Sequence, residues 1–279
     1  QSPGFITQPK AAVYQCCRYL PAGTGKVTNR GQVQAVLTGK LNMERAKLWW
    51  WALRSAIFYV GFVAVVALMS ALACLLCFLP FPILQHIATT GNQLSMLWLR
   101  LTCNIHIVVS GENNVPHGPC LVLSNHQSTW ETFYLQWYFQ PASVILKRGL
   151  LWIPLFGWAL ALMQPIAIKR SRPAKAIRFV LKQGAQRLAA GNRVVIYPEG
   201  TRVSTEQLGE FKTSGAALAK KAGVPIVPVA HNAGHHWPRD SWIKRPGTIY
   251  MHIGPLIDSS SKDPRELTAE ARDWINNAL

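Results

Sequence analysis

The apolar positions of the chain fall into one long run and many short ones. The long run extends from Ser55 to Leu79, 25 residues without a charge. As a helix rising about 1.5 Å per residue, it could cross a hydrocarbon core of roughly 30 Å. Three tryptophans, at 49–51, and basic residues precede it, as at a membrane interface. Prolines 80 and 82 then break the helix, so the pattern predicts a membrane anchor over residues 43–103 made of two helices broken at Pro80–Pro82.

The segment ahead of this anchor has a different character. Residues 1–42 contain five basic residues, no acid and no clear apolar period. They lack the apolar core of a signal peptide. We interpret them as a basic tail or as a segment upstream of a native start at Met43.

From residue 104 onward, short apolar runs alternate with amphipathic stretches. Strands are predicted at Ile105–Val109, Cys120–Leu123, Ser143–Leu146, Ile166–Ile168, Val194–Tyr197, Ile226–Ala230 and Thr248–Ile253. Helices are predicted at Thr132–Phe139, Ala174–Ala190, Thr213–Ala222 and from Asp263-Pro264 to the end of the chain. This alternation predicts an α/β domain over residues 104–279, with a mixed, largely parallel sheet flanked by helices.

Charge narrows the range of partners. The chain has 29 Lys and Arg against 12 Asp and Glu, a net charge of +17, yet 49% of it is hydrophobic. Its aromatic content excludes disorder, and its hydrophobicity is unusual for a nucleic-acid binder. From Thr132 to Pro198 there is no acid and there are ten basic residues. We therefore expect an anionic partner, which could be a membrane lipid surface or, equally, an acidic protein or a phosphate-bearing ligand. Since no binding motif is visible, we expect no nucleic acid.

The first motif with chemical potential directly follows a predicted strand. It is the run Ser124-Asn125-His126-Gln127-Ser128-Thr129-Trp130-Glu131, with four residues between the histidine and the acid. A turn there would bring the carboxylate to one imidazole nitrogen and leave the other free to take a proton. Taken alone, the pair is weak, because this spacing also arises by chance.

The second and third motifs also end predicted strands. The run Ile166 to Arg170 ends in basic residues, and Pro198-Glu199-Gly200-Thr201-Arg202 forms a turn after an apolar strand. In that turn, Gly200 allows close backbone approach, while Thr201 and Arg202 offer donors suited to a phosphate. An ordinary tight turn with a surface arginine is the alternative.

Two further features favour packing over chemistry. The strand at 224–229 has prolines at its margins and suits packing or the wall of a groove. His231, His235 and His236 follow it without an acid or cysteine to complete a ligand set, so we predict a polar loop and no metal.

In their order and spacing, these motifs resemble the four motifs of the glycerolipid acyltransferase family. That family includes the 1-acylglycerol-3-phosphate acyltransferases, also called lysophosphatidic acid acyltransferases. The resemblance covers roughly Leu121 to Pro255, together with an N-terminal anchor. One position departs from the family pattern, because Glu131 stands where the family usually has aspartate.

The resemblance implies an O-acyltransferase of phospholipid biosynthesis. A fatty acyl chain would pass from acyl-CoA or acyl carrier protein to the sn-2 hydroxyl of lysophosphatidic acid, giving phosphatidic acid without a further cofactor. His126 would be the general base and Glu131 its orienting acid. The acceptor phosphate would be held by Arg170, Glu199, Gly200, Thr201 and Arg202. Asn125 and Lys147 are candidate contacts of the acyl oxyanion or the phosphate.

Several alternatives stay open. The acceptor could be glycerol-3-phosphate, a lyso-aminolipid or another lysophospholipid, and a membrane-tethered, non-catalytic binder of anionic ligands is a more remote reading. The anchor could span the membrane once or return as a hairpin. We favour a hairpin or a tilted monotopic anchor in a bacterial inner membrane, with the catalytic domain facing the cytosol. The apolar stretch Leu150–Leu162 could line an acyl channel or dip into the leaflet.

Overall fold

The computed structural model of the chain describes residues 29–169 and 171–279, with side chains from residue 38 onward except at 173. Residues 1–28 of the predicted tail and Arg170 therefore lie outside the described residues. The described residues divide into two units, with the boundary between Lys47 and Leu48. The first described helix, α1 (Asn29–Leu75), begins within the segment interpreted as a tail.

A second helix, α2 (Phe81–Cys103), runs back along the second unit's part of α1. The Trp98 indole donates to the carbonyl of Phe58 at 3.2 Å, while farther along the pair Ala73 packs against Leu84. Residues late in α2 thus contact residues early in this part of α1, which makes the pair an antiparallel hairpin. The chain turns after Leu75 rather than Leu79, and the early prolines of α2 stand where their missing N–H groups cost nothing.

The hairpin leaves a broad apolar face uncovered. Within the described residues, the Thr38–Leu75 part of α1 is the one helix long and apolar enough to cross a membrane, and only 17% of its most apolar window is buried. Large exposed side chains along α1 include Trp49, Trp50, Leu53, Val60, Val63 and Leu68. A core helix of a soluble protein would bury such side chains, so this face is a membrane-anchor candidate.

Seven strands form one sheet. They are β1 (Ile105–Ser110), β2 (Leu121–Ser124), β3 (Ala142–Lys147), β4 (Ile166–Ile168), β5 (Arg193–Ile196), β6 (Ile226–His231) and β7 (Gly247–Ile253). Their order across the sheet is β1-β7-β6-β2-β5-β3-β4. All neighbouring strands are parallel except β6 and β7, which are antiparallel. The predicted mixed, largely parallel sheet is confirmed.

Helices cover both faces of this sheet. They are α3 (Trp130–Tyr138), α4 (Phe156–Leu162), α5 (Pro173–Ala189), α6 (Ser214–Ala222), α7 (Ala233–His236) and α8 (Pro264–Ala278). Along β2, Val122 packs into the core shared with the hairpin and α3. Its neighbours Leu121 and Leu123 pack into the core shared with α5, α6 and α8. This alternation is that of a strand buried on both faces.

The topology brings the motifs to one edge of the sheet. Because β2, β5 and β6 are parallel neighbours, their carboxyl ends and the loops after them meet. The predicted α3 began at Thr132, but the helix begins at Trp130, so Glu131 lies in its first turn. The stretch Leu150–Leu162 is a 3-10 turn (Arg148–Trp152) followed by α4. The 3-10 turn and α4 were hard to predict, because this stretch is apolar on every side and shows no helical period.

Candidate active site

The loop after β2 brings together the histidine and the acid of the first motif. His126 Nδ1 lies 2.8 Å from Glu131 Oε1. The glutamate side chain is fully buried, and His126 is 8% exposed. A carboxylate accepts, so Nδ1 carries the proton. Within the described residues, Nε2 makes no hydrogen bond, which leaves its lone pair available to accept a proton.

The backbone of the same loop fixes the Glu131 carboxylate. Besides the imidazole, Oε1 accepts from the N–H groups of Gln127 at 2.9 Å and Ser128 at 2.7 Å. Burial alone would raise the pKa of Glu131, but the hydrogen bonds from the His126 imidazole and from the Ser128 N–H outweigh it, and the pKa lies below its ordinary value. The acid is therefore ionised at neutral pH and opposes rotation of the histidine ring.

A second histidine, His231 at the end of β6, stands behind the pair. Its Nε2 lies 3.0 Å from the carbonyl oxygen of Asn125, and its Nδ1 accepts from the N–H of Ala233 at 3.3 Å. Burial lowers its pKa, so the ring is neutral and Nε2 carries the hydrogen. The same Nε2 lies 4.0 Å from Glu131 Oε2, a buried oxygen with no hydrogen bond among the described residues. The sequence pattern assigned His231 to a polar loop and did not predict its buried position beside Glu131.

The last residue before the third motif holds the ring of His126. Tyr197 stacks on it, with ring centroids 4.3 Å apart and 15° between the planes. The tyrosine hydroxyl donates to the backbone carbonyl of Glu131 at 3.0 Å. One side chain thus contacts both members of the pair.

Glu199 supports the backbone of the catalytic loop. Its Oε2 accepts from the N–H of His126 at 2.7 Å, and its Oε1 accepts from the N–H of Gly209 at 3.2 Å. Burial raises the pKa of Glu199 to about 7. In addition, the N–H of Val203 donates to the carbonyl of His126 at 2.8 Å. The third motif is therefore bonded directly to the first.

The rest of the third motif forms the cationic part of the site. Gly200 has a φ of +74°, a conformation that other residues seldom adopt. A Cβ added there would lie 2.9 Å from Lys212 Nζ, so this lysine, which sequence reasoning missed, lies beside the turn. Thr201 is exposed, and Arg202 lines a cavity described below.

The other predicted contacts lie at different distances from this centre. Asn125 is fully buried and uses its amide to donate to, and accept from, the backbone of His231, at 2.9 and 3.1 Å. The side chain thus ties the catalytic loop to β6. Lys147 ends β3 at the same edge of the sheet and is exposed. Arg170 lies outside the described residues.

An apolar cavity of about 290 Å³ adjoins the pair. His126 and Glu131 do not line it, but Thr129 of their loop, Arg202 and Tyr197, which stacks on His126, do. Its other walls come from both hairpin helices, α3, β3 and α4, and include Val66, Met69, Ala88, Phe133, Val144 and Met163. The cavity therefore lies next to the residues that support the pair, with Arg202 on its wall.

Comparisons with known proteins identify relatives of this chain. The acyltransferase family matches residues 106–232. A 1-acyl-sn-glycerol-3-phosphate acyltransferase of Pseudomonas aeruginosa is 48% identical over 187 residues, 66% of this chain and 73% of that protein. A chloroplastic enzyme of the same name from Brassica napus is 36% identical over 175 residues, 61% of this chain but 50% of that protein.

A solved structure shares the fold. The crystal structure of the 1-acyl-sn-glycerophosphate (LPA) acyltransferase PlsC from Thermotoga maritima matches with a TM-score of 0.67 at 21% sequence identity. The match covers 81% of this chain and 95% of that one.

Proposed function

Because the chain belongs to the 1-acyl-sn-glycerol-3-phosphate acyltransferase family, we propose that it makes phosphatidic acid by acylating lysophosphatidic acid. The acyl chain comes from a thioester, acyl-CoA or acyl carrier protein, and goes to the free sn-2 hydroxyl. The observation that carries the proposal is the buried His126–Glu131 pair, with Nε2 free, beside an apolar cavity.

In the proposed reaction, His126 acts as general base. Its Nε2 takes the proton of the acceptor hydroxyl while the hydroxyl oxygen attacks the thioester carbonyl carbon. The new C–O ester bond forms, the C–S bond breaks, and the leaving thiolate takes the proton back from the imidazolium. Glu131 stabilises the imidazolium, because its carboxylate is ionised and faces Nδ1.

Three neighbours then act by positioning these two groups. Tyr197 holds the plane of the His126 ring, and Asn125 and His231 hold the loop against β6. We assign Glu199 to the same class, since its two oxygens accept from backbone N–H groups. Such positioning lets a base act without first reorganising.

The phosphate of the acceptor is proposed to lie against the third motif. Arg202 lines the cavity, and Gly200 lets the protein backbone come close to the phosphate. Thr201 and Lys212 add hydrogen-bond donors on the exposed side of the turn. Arg170 and Lys147 are further candidates, because the strands before them end at the same edge. The apolar cavity would receive the acyl chain of one substrate.

We also propose how the parts divide the work. Residues 43–103 form the anchor and 104–279 the catalytic domain. The hairpin contacts support an anchor that enters and leaves one side of a bilayer, because α2 bonds to the domain along its length, as in the bond from Gln85 to Ala142 at 2.7 Å. We place the domain on the cytosolic side of a bacterial inner membrane, where acyl-CoA and acyl carrier protein are found.

Thiol release by the purified protein tests the proposal. Lysophosphatidic acid, glycerol-3-phosphate and other lysolipids serve as acceptors, with acyl-CoA and acyl carrier protein as donors. His126→Ala should lower turnover by about 10²- to 10⁴-fold, the usual share of general-base catalysis. The matched control is His235→Ala, an exposed histidine of α7. Glu131→Ala should lose activity, whereas Glu131→Asp should retain much of it.

Full activity of His126→Ala or Glu131→Ala would refute the catalytic assignment. If both variants are inactive but the wild type prefers glycerol-3-phosphate or a lyso-aminolipid, the general-base mechanism is supported and the proposed acceptor is wrong.

A further inference from the structure

The segment between β3 and α5 exposes an unusual group of apolar side chains. Trp152 is 78% exposed and Trp158 is 59% exposed, with Leu150 and Ile153 exposed beside them. We call these four residues the interfacial patch. They lie within nine residues of the chain. Large exposed apolar residues so close in sequence indicate a binding surface, and tryptophans prefer the boundary between water and lipid.

The opposite side of this segment forms part of the cavity. Leu150, Phe156 and Leu160 line it, together with Ala159. The segment is therefore a thin wall, with the acyl space on one side and the interfacial patch on the other. A lipid acyl chain on the outside would lie one layer of side chains from the proposed acyl site.

The interfacial patch also continues the apolar face of the hairpin. Ala159 of α4 packs with Ala73 and Leu84, at the end of the hairpin where the chain turns. The Cys74 thiol contacts the carbonyl of Leu155 at 3.9 Å. Large exposed side chains at this end of the hairpin are Leu75, Phe78 and Ile83. The anchor and the patch are thus neighbouring parts of one apolar surface.

Cations border the interfacial patch on its far side. Two grooves that share Arg148 and Lys169 run from Trp152 to Phe179. Their basic residues, which we call the cation row, are Lys147, Arg148, Lys169, Arg172 and Lys175. In the part of the chain that the structure describes, no member of the cation row forms an ion pair. No acid occurs between Thr132 and Pro198 to neutralise it.

We propose that the interfacial patch and the cation row form a second membrane contact, adjoining the anchor, on an anionic leaflet. Trp152 and Trp158 lie at the level of the headgroups and upper acyl chains, and the cation row lies against lipid phosphates. An acidic protein would match the cation row but would leave two large tryptophans without an apolar partner. The contact extends the proposed function, because it places the wall of the acyl cavity at the membrane surface.

Fluorescence quenching in vesicles tests this contact without using turnover, so it can fail or succeed independently of the proposed function. The full chain is reconstituted into vesicles of phosphatidylcholine and phosphatidylglycerol in equal amounts, with or without brominated acyl chains. The difference spectrum between wild type and Trp152→Phe/Trp158→Phe reports these two tryptophans alone. Bromolipid should quench this difference at least about twofold, and aqueous acrylamide should quench it little.

Two controls isolate the contact. Trp274→Phe, on α8 beside Gly254, should yield a difference spectrum that bromolipid leaves unchanged. Neutralising the cation row with Arg148→Gln/Lys175→Gln should weaken bromolipid quenching of the Trp152 and Trp158 signal in anionic vesicles. The matched pair Lys221→Gln/Arg265→Gln, on α6 and α8, should not.

The opposite result would overturn the proposal. If acrylamide quenches the Trp152 and Trp158 signal and bromolipid does not, the patch faces water. A raised KM for acyl carrier protein in Arg148→Gln/Lys175→Gln would then assign the cation row to an acidic protein. Both substituted tryptophans are exposed, so the fold is expected to survive, and circular dichroism of each variant checks this.

Discussion

A single oxygen atom organises the centre of this site. Glu131 Oε1 accepts from the imidazole and from two successive backbone N–H groups, so the same atom orients the ring and closes the loop that carries it. Aspartate, which is one methylene shorter, could keep the backbone contacts only by moving the helix turn or the ring. Glu131→Asp should keep much of the activity, and we expect the part that it loses to appear in turnover rather than in substrate binding, a difference that kcat and KM measure separately.

Glu199 gives the folded state a pH dependence of a defined sign. Burial raises its pKa from 4.5 to about 7. Between these two values the unfolded chain has lost the proton and the folded chain still holds it. Stability from this group is therefore full below about pH 4.5 and declines as the pH rises through about 7, by about 3 kcal/mol in total.

Glu199→Gln cannot ionise, so the variant should lack this decline. Denaturant unfolding of both proteins between pH 4 and pH 8 measures the difference, which should grow in favour of the variant as the pH rises. The exposed Glu210→Gln on the same loop is the control and should follow wild type. A constant difference across this range would show that Glu199 ionises normally.

The sequence could predict only the part of this site that is local in the chain. The spacing of His126 and Glu131 places them within one loop and helix turn, and the prediction that they pair agrees with their contact, though their catalytic role stays a prediction. Tyr197 and His231 reach the pair across the sheet, so no spacing reveals them. Glu199 was assigned to phosphate binding by resemblance, and only its two backbone contacts suggest a positioning role.

At the scale of elements, one glutamine ties the anchor to the sheet. The Gln85 side chain donates to the carbonyl of Ala142 at 2.7 Å and accepts from its N–H at 3.0 Å, and it is buried. It thereby satisfies both polar groups of a backbone residue where β3 begins. Such bonds fix the register of α2 against the domain as well as contributing to stability.

Gln85→Leu should leave the two Ala142 groups buried without partners, at a cost of about 2–4 kcal/mol in the free energy of unfolding. Unfolding of the detergent-solubilised protein by denaturant measures this loss. Gln93→Leu, an exposed position of the same helix, is the matched control and should change stability little. If both variants unfold at the same denaturant concentration, α2 is held by apolar packing alone.

The elements themselves were more predictable than the site. All seven strands were predicted within one or two residues of their ends, because each is a short apolar run between turn residues. The helix α4 was not predicted, because its apolar residues face both the cavity and the exterior and so show no period. The end of α1 was placed late because Leu76–Leu79 are as apolar as the helix before them, and hydropathy does not mark a turn.

At the scale of the whole molecule, the antiparallel hairpin predicts the accessibility of a native cysteine. Cys77 is exposed and lies in the turn between α1 and α2. If the anchor enters and leaves the bilayer on the side of the catalytic domain, the turn between α1 and α2 does not reach the opposite surface. A membrane-impermeant maleimide added to the side opposite the catalytic domain should therefore leave Cys77 unlabelled.

The measurement compares intact cells with inverted membrane vesicles, and the Cys77→Ser variant identifies the signal of this residue. Detergent should expose Cys77 to the reagent and serves as the positive control. Labelling of Cys77 from the side opposite the catalytic domain would mean that α1 crosses the bilayer.

The participation of α1 in the cavity wall has a consequence for attempts to simplify the protein. Val66 and Met69 belong to the anchor, yet they close one side of the space beside the catalytic pair. The anchor is therefore not a detachable tether. Trimming the chain before α2 to obtain a soluble enzyme would remove a wall of the acyl site along with the membrane attachment. We therefore expect a variant that lacks α1 to lose activity together with its membrane attachment.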